Sequence, residues 1–274
     1  MIISHKYKYL FIETPHTGST AISKELQENY DGEPILHKHA YYFEFARQAS
    51  EQDRTASRRG TARTVAERKK YFVFAGIRNP LDEALSIYLK YFNNHKSNYT
   101  NPQQLIENGG WVTNGMLRKF HFVQDKKNTF KDYLYNFYKI PYTNSININS
   151  KYCDFIIRFE NLNEDFSQVL KLLHIPQVRP LPRVNRTENK DEKHYLNFFP
   201  ADSYSHAVKI FGPFMQEWNY HAADCSLPAS WNDLTPHHSD VLKYNMLKKM
   251  RLIYVKYGKY GFLRKATRIR NLIE

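Results

Sequence analysis

Hydrophobic and polar positions follow two rhythms along the chain, and the places where one gives way to the other mark its elements. "YLFIE" (9–13) is a short run of aromatic and β-branched residues, the pattern of a buried strand. Beyond "TPHTGST" the spacing turns helical, with Ile22, Leu26 and Tyr30 recurring on one face. "EPILHKHA" (33–40) predicts a second, short strand with His37 and His39 at its end, followed by a helix through 41–50. "YFVFAGI" (71–77) is the clearest strand in the chain. Pro80 then opens a helix at a position where its missing N–H is harmless, and Leu81, Leu85, Tyr88, Leu89 and Phe92 form its apolar stripe. Residues 102–138 read as mostly helical, and "CDFIIRFEN" (153–161) as another buried strand. Leu162, Phe166, Leu170 and Leu173 carry the helix after it. Near the end, Leu242, Met246, Met250, Ile253 and Tyr257 predict an amphipathic helix that packs on the domain or touches a membrane or polyanion.

Strands alternating with helices predict an α/β fold with a mostly parallel central sheet flanked by helices. A length of 274 residues suits one large α/β domain, or one domain with an appendage. There are no internal repeats and no long low-complexity linker. The expected organisation is a domain over 1–222, interrupted by a basic insertion at about 53–70, and a basic, helical extension over 223–274. The insertion carries seven Lys/Arg against Asp53 and Glu67, which suits a solvated face or a lid over an anionic site. Between Val241 and Ile273 there are ten Lys/Arg and no acid.

Composition narrows the partners without choosing one. The formal charge of +13 points to an anionic ligand or surface, and 42% hydrophobic residues suffice for a sizeable core. The 21 tyrosines fit a surface that handles flat or hydroxylated ligands, although many belong to a half-buried core. Two cysteines, Cys153 and Cys225, lack metal-ligand spacing and read as free thiols of a reducing compartment. The amino-terminal stretch is too short and too charged for a signal peptide. No apolar run approaches the ~20 residues that span a bilayer, so a cytoplasmic setting is expected.

Two stretches carry the candidate chemistry. In "FIETPHTGSTAIS" (11–23) a strand, a loop containing Gly18 and a helix start together aim backbone N–H groups at one point. Thr17, Ser19 and Thr20 add hydroxyl donors. The loop departs from the nucleoside-triphosphate pattern G-x-x-x-x-G-K-[ST]: it lacks the first glycine, and no lysine follows Gly18. In "GIRNPLDEALSIY" (76–88) Arg78 stands at a strand end and Ser86 two turns into the next helix. An arginine there can grip a phosphate through its planar fork. Two anion grips at the ends of neighbouring strands suit a nucleotide with phosphates at both 5′ and 3′ positions.

This pair of motifs resembles the sulfotransferases that use 3′-phosphoadenosine 5′-phosphosulfate (PAPS), particularly the carbohydrate sulfotransferases and their bacterial relatives. That family's first motif, roughly P-K-[TA]-[GA]-[SGC]-T, is matched by "PHTGST" except at the lysine, where His16 stands. Its second, roughly R-N-P-x-[DE]-R-x-x-S-x-Y, is matched by "RNPLDEALSIY" except that Glu83 replaces the usual arginine. "FIIRFENLNEDF", "LPRVNRT" (181–187) and "FGPFMQEWNY" (211–220) are similar to later family segments in the same order. The resemblance spans about residues 8–222 and implies a P-loop-like, three-layer fold.

It also implies roles. His16, Thr17, Gly18, Ser19 and Thr20 take the 5′-phosphosulfate, Arg78 and Ser86 the 3′-phosphate, and Asn185 and Arg186 close over the nucleotide. PAPS is the co-substrate and no metal is expected. The acceptor is a hydroxyl-bearing molecule, a carbohydrate or glycolipid, with the basic tail available to an anionic membrane surface or polyanion. Transfer to a hydroxyl needs a general base. His39 is the first candidate, His37 the second, and Glu44 an orienting partner or substitute base. His16 would supply the loop's cation if bound phosphate keeps its imidazole protonated. Three rivals stay open: a nucleotide- or polyanion-binding protein without turnover, a P-loop kinase, and a nucleic-acid-binding module. The last is suggested by charge alone, and no nucleic acid is expected.

Overall fold

The computed structural model describes residues 1–48, 71–182, 184, 195–220 and 235–258. Asn185, Arg186, Cys225 and the basic stretch 53–70 lie outside these described residues. In chain order the elements are β1 (Ile2–Ser4), β2 (Tyr9–Ile12), α1 (Ser19–Asn29), β3 (Glu33–Pro34), α2 (residues 42–48), β4 (Phe72–Ile77) and α3 (Pro80–Phe92). There follow α4 (Asn114–Gln124), α5 (Phe130–Phe137), α6 (Ile146–Asn149), β5 (Phe155–Arg158), α7 (Leu162–Leu172), α8 (Tyr204–Glu217) and α9 (His238–Ile253). They fall into two compact units. The first holds Met1–Arg78, Asn144–Asn185 and Lys248–Glu274, the second Asn79–Thr143 and Arg186–Leu247.

The first unit is built on a five-stranded sheet of order β3-β1-β2-β4-β5. β2, β4 and β5 are parallel neighbours, whereas β1 runs antiparallel to both β2 and β3. Four strands therefore share one direction, and the fold is the mixed α/β arrangement with a mostly parallel sheet that the periodicity predicts. In β2 both Tyr9 and Phe11, on one face, and Leu10 and Ile12, on the other, are fully buried. Burial on both faces explains why the strand reads as a continuous apolar run rather than an alternating one. One core joins Tyr9, Phe11, Phe74 and Ile157 of the sheet to Ile22 and Leu26 of α1 and Phe166, Val169 and Leu170 of α7. The expected stripe Ile22, Leu26, Tyr30 is thus the packed face of α1. Gly76 in β4 has no room for a side chain, because an added Cβ would lie 2.4 Å from Thr17 Oγ1.

The second unit is helical among the described residues. Asn79 caps α3, its side chain accepting a bond from Leu81 N at 3.0 Å, and Pro80 fills the first helical position as expected. Leu81, Leu85, Tyr88 and Leu89 are buried, while Phe92 at the end of the stripe is exposed. Glu83, where the resembling motif carries arginine, accepts a hydrogen bond from Tyr142 Oη at 3.0 Å. Tyr88, Tyr91, Tyr99 and Tyr133 pack with Phe120 and Phe130, which places many of the tyrosines in a core.

Two expectations are corrected, and one strand was unforeseen. β1 was not predicted, since three residues are too few for a periodic signal. The strand expected over 33–40 is confined to Glu33–Pro34, because Leu36 and His39 adopt left-handed backbone (φ 58 and 66) that ends extended structure. The mostly helical reading of 102–138 holds, as short 3₁₀ turns and two helices, α4 and α5, each started by a threonine cap. The stripe expected on the last helix faces outward: Leu242, Met246 and Ile253 are exposed, and Tyr244 and Leu247 are buried instead. Tyr244 donates its hydroxyl to the Glu217 carboxylate. Among the described residues, no helix is long and apolar enough to cross a membrane.

Candidate functional site

β2 ends at Ile12, and the chain turns through residues 13–18 before α1 begins. Gly18 is the residue before the first helical turn, at φ 75, and no side chain caps the helix there. An added Cβ at Gly18 would meet Leu162 Cδ2 at 2.9 Å, so glycine is required by both conformation and space. Ala21 N and Ile22 N both donate to Gly18 O, and the N–H groups of Ser19 and Thr20 before them point out of an uncapped, electropositive helix start at the end of a parallel strand. Thr17, fully buried, donates its hydroxyl to Thr14 O at 2.9 Å and pins the loop. Thr14 Oγ1 is itself buried without a partner, a polar atom held at the base of the loop.

Arg78 follows the last residue of β4 and is only 4% exposed. Its Nη1 donates to His16 O at 3.0 Å, and the guanidinium lies 4.1 Å from the centre of the Phe159 ring. The arginine thereby ties the end of β4 to the loop after β2. His16 occupies left-handed backbone (φ 62), and its side chain is exposed. Ser86 is buried in α3, in the second unit. The structure thus joins Arg78 to the anion loop.

The two candidate bases lie in the turn after β3 and differ in their partners. His39 Nδ1 donates to Glu13 O at 2.7 Å, at the point where β2 becomes the loop. Since a carbonyl only accepts, this bond fixes the tautomer and leaves the lone pair on Nε2. Burial pushes the His39 pKa below its ordinary 6.5, helped by the charges of Lys38 and the terminal ammonium and opposed by the bond to Glu13. The ring is therefore neutral near pH 7, the form a proton acceptor needs. His37 instead donates to Lys38 O through Nδ1 and meets the Glu44 carboxylate through Nε2, both at 2.8 Å. Both ring nitrogens of His37 are thus engaged, one by the main chain of the turn and one by Glu44. Glu44 contacts His37, and the extended strand expected here, which would aim residues two apart alike, is broken by the left-handed Leu36 and His39.

Two residues that motif reading passed over complete the turn. Lys38 Nζ donates to Thr20 Oγ1 at 2.9 Å, back onto the first turn of α1. Glu13 offers more than its carbonyl. Burial alone would raise its carboxyl, but hydrogen bonds from the terminal ammonium and Ser23 and the charge of Lys38 hold it below its usual value. A clue to Lys38 was present in the sequence: a loop lacking its lysine and a lysine beside the candidate base. A cleft of about 470 Å³ opens beside these groups, lined among others by Glu13, Thr20, Ser23, Gln27, Leu36 and Lys38.

Comparison with known proteins places the chain. A family model described as the sulfotransferase family matches residues 1–210. No curated protein and no solved structure matches the chain. The match covers the sheet, the loop, the histidine turn and α3, and most of the described second unit. The chain belongs to the sulfotransferase family.

Proposed function

We propose that this sulfotransferase-family chain moves the sulfuryl group of PAPS to a hydroxyl of a saccharide, glycolipid or other polar acceptor. The observation that carries the reading is His39, whose Nδ1–H is fixed on the Glu13 carbonyl beside the anion loop. Its Nε2 lone pair takes the acceptor's proton as the acceptor oxygen attacks sulfur in line with the departing phosphate. The transition state of such a transfer is loose, so the protein's work is to position the reactants and to stabilise charge on the leaving oxygen.

The start of α1 and the hydroxyls of Ser19 and Thr20 hold the 5′-phosphosulfate, with Gly18 permitting close approach and His16 lending its main chain to the loop, while the buried Thr17 hydroxyl, spent on Thr14 O, shapes the loop instead of meeting the ligand as the motif implies. By the motif alone, Arg78 and Ser86 take the 3′-phosphate. Asn185 and Arg186, outside the described residues, keep the closing role that the resemblance implies. The cleft beside Thr20 and Lys38, with Ser23 and Gln27 on its wall, suits a hydroxyl-rich acceptor. The basic tail is assigned to an anionic surface or polyanion, and the chain as a whole to the cytoplasm.

Calorimetry with adenosine 3′,5′-bisphosphate tests the nucleotide half of this reading. Wild type binds and Arg78→Ala loses most of the affinity; no binding by wild type overturns the assignment. Transfer of labelled sulfate from PAPS to a panel of saccharides tests the rest. A chain that binds the bisphosphate yet sulfates nothing is a binding protein that has kept the fold.

A further inference from the structure

We infer that Lys38 supplies the cation that the anion loop itself lacks, in the place where related loops carry a lysine. The inference rests on the sulfotransferase reading above. The loop carries His16 at that position, and the main-chain carbonyl of His16 is occupied by Arg78 at 3.0 Å. The ammonium of Lys38 comes from a separate turn, 18 residues beyond Thr20 in the chain, and reaches Thr20 Oγ1 at 2.9 Å. Thr20 belongs to the first turn of α1, where unpaired N–H groups and the helix dipole already favour an anion. An ammonium has three donors, and the bond to Thr20 uses one of them. A phosphate oxygen seated at the helix start lies within reach of both Thr20 and Lys38. Thr14, with its buried, unpartnered hydroxyl, adds a polar group at the base of the same loop.

The chemistry assigns the two neighbours complementary tasks. The acceptor oxygen forms a bond to sulfur, and its proton passes to His39 Nε2. The bond between sulfur and the bridging oxygen breaks, and its electron pair stays on the phosphate of adenosine 3′,5′-bisphosphate. Lys38 stabilises the charge that collects on that oxygen. One turn therefore carries the base and the cation side by side. His39 is anchored to the end of β2 through Glu13 O, and Lys38 to the helix through Thr20. A lysine also holds its charge well above neutral pH, where an ordinary histidine is uncharged. The site then works without requiring protonation of His16.

Lys38 is exposed and substitutions there leave the core intact, so calorimetry can read its role directly. The probes are adenosine 3′,5′-bisphosphate and adenosine 3′-monophosphate, which lacks the 5′-phosphate. Lys38→Ala weakens the bisphosphate by about 10- to 100-fold, the loss of one charge-assisted contact, and leaves the monophosphate within about 3-fold. Lys38→Arg recovers most of the loss. Adding His16→Lys to Lys38→Ala restores affinity by returning a lysine to the loop. His16→Ala alone costs less than Lys38→Ala, and the wild-type affinity stays flat from pH 6.5 to 8.5. Equal binding of the bisphosphate by Lys38→Ala and wild type overturns the inference while leaving the sulfotransferase reading in place. So does an equal loss of both probes. Failure of wild type to bind the bisphosphate overturns the nucleotide assignment itself.

Discussion

Residues 14–20 and residues 35–44 flank the end of β2, and they are constructed differently. In the first segment Thr14, Thr17 and Ser19 are buried, and it is held by bonds to main-chain carbonyls and by close packing: Thr17 to Thr14 O, Arg78 to His16 O, Gly18 against Leu162. The second is half-buried, with Leu36, His37 and Lys38 exposed, and its order comes from charged and imidazole side chains reaching to other elements. His39 reaches Glu13, Lys38 reaches Thr20, and His37 reaches Glu44. In the proposed reaction the buried segment receives the donor, whose phosphates are the same in every cycle. The exposed turn brings the groups that act on the transferred sulfuryl and meets the acceptor. Rigid backbone recognises an invariant ligand, and side chains placed on its rim perform the chemistry.

The largest effect should come from the turn. His39→Ala removes the proposed base and should lower turnover of PAPS by about 10²- to 10⁴-fold, as loss of general-base catalysis does. Affinity for adenosine 3′,5′-bisphosphate should stay within about 3-fold, measured by calorimetry. A parallel fall in affinity would erase the distinction between the two segments. Next comes the buried side. In Gly76→Ala the new Cβ would crowd Thr17 Oγ1 at 2.4 Å and push the loop off its seat. The expected cost is about 1–3 kcal/mol of stability by thermal unfolding, with bisphosphate affinity down by about 10-fold or more. Here binding and stability fall together, whereas His39→Ala leaves binding nearly intact.

A subtler difference lies in pH. Because burial, joined by Lys38 and the terminal ammonium, lowers the His39 pKa, the base stays neutral below the ordinary 6.5 and takes up its proton only on further acidification. The acid limb of kcat/KM should therefore fall below pH 6.5. Lys38→Gln removes one of the charges that push the pKa down, so the limb should move upward in that variant. A limb that stays put, or moves toward lower pH, would separate Lys38 from the base it adjoins.

These same two segments show how far sequence reaches. The buried one was legible because its requirements are local: an apolar strand, a glycine before a helix, hydroxyls in the first turn. β2, β4, β5, α1 and the start of α3 follow from periodicity and from Pro80 for the same reason. The exposed turn was legible in composition but not in geometry. Its histidines were visible, but the left-handed residues Leu36 and His39 undo the strand that would have aimed them alike. The contact of Lys38 with Thr20 bridges 18 residues and depends on how β3, β1 and β2 pair, which no local pattern encodes. The apolar stripe of α9 points outward for a related reason: the face that is buried carries Tyr244, whose hydroxyl bonds to Glu217 far away in sequence.

The smallest expected effect belongs to His37, and it separates the two histidines most sharply. His37 stands two residues from His39 and has the same chemistry, so composition alone treats the pair as equal. Its Nε2 is turned to Glu44 and its Nδ1 to Lys38 O, so both ring nitrogens already have partners within the turn and α2. His37→Gln keeps one donor and should change turnover by no more than about 3-fold, the range expected when a half-exposed pair worth at most about 1 kcal/mol is lost. Glu44→Gln should behave alike, and the double variant should be no worse than either single one, since both remove the same contact. If His37→Gln instead matched His39→Ala in turnover, the base would have to be reassigned. The Glu13 carbonyl bond would then be a fold contact, and the exposed turn would carry its chemistry on the Glu44 side.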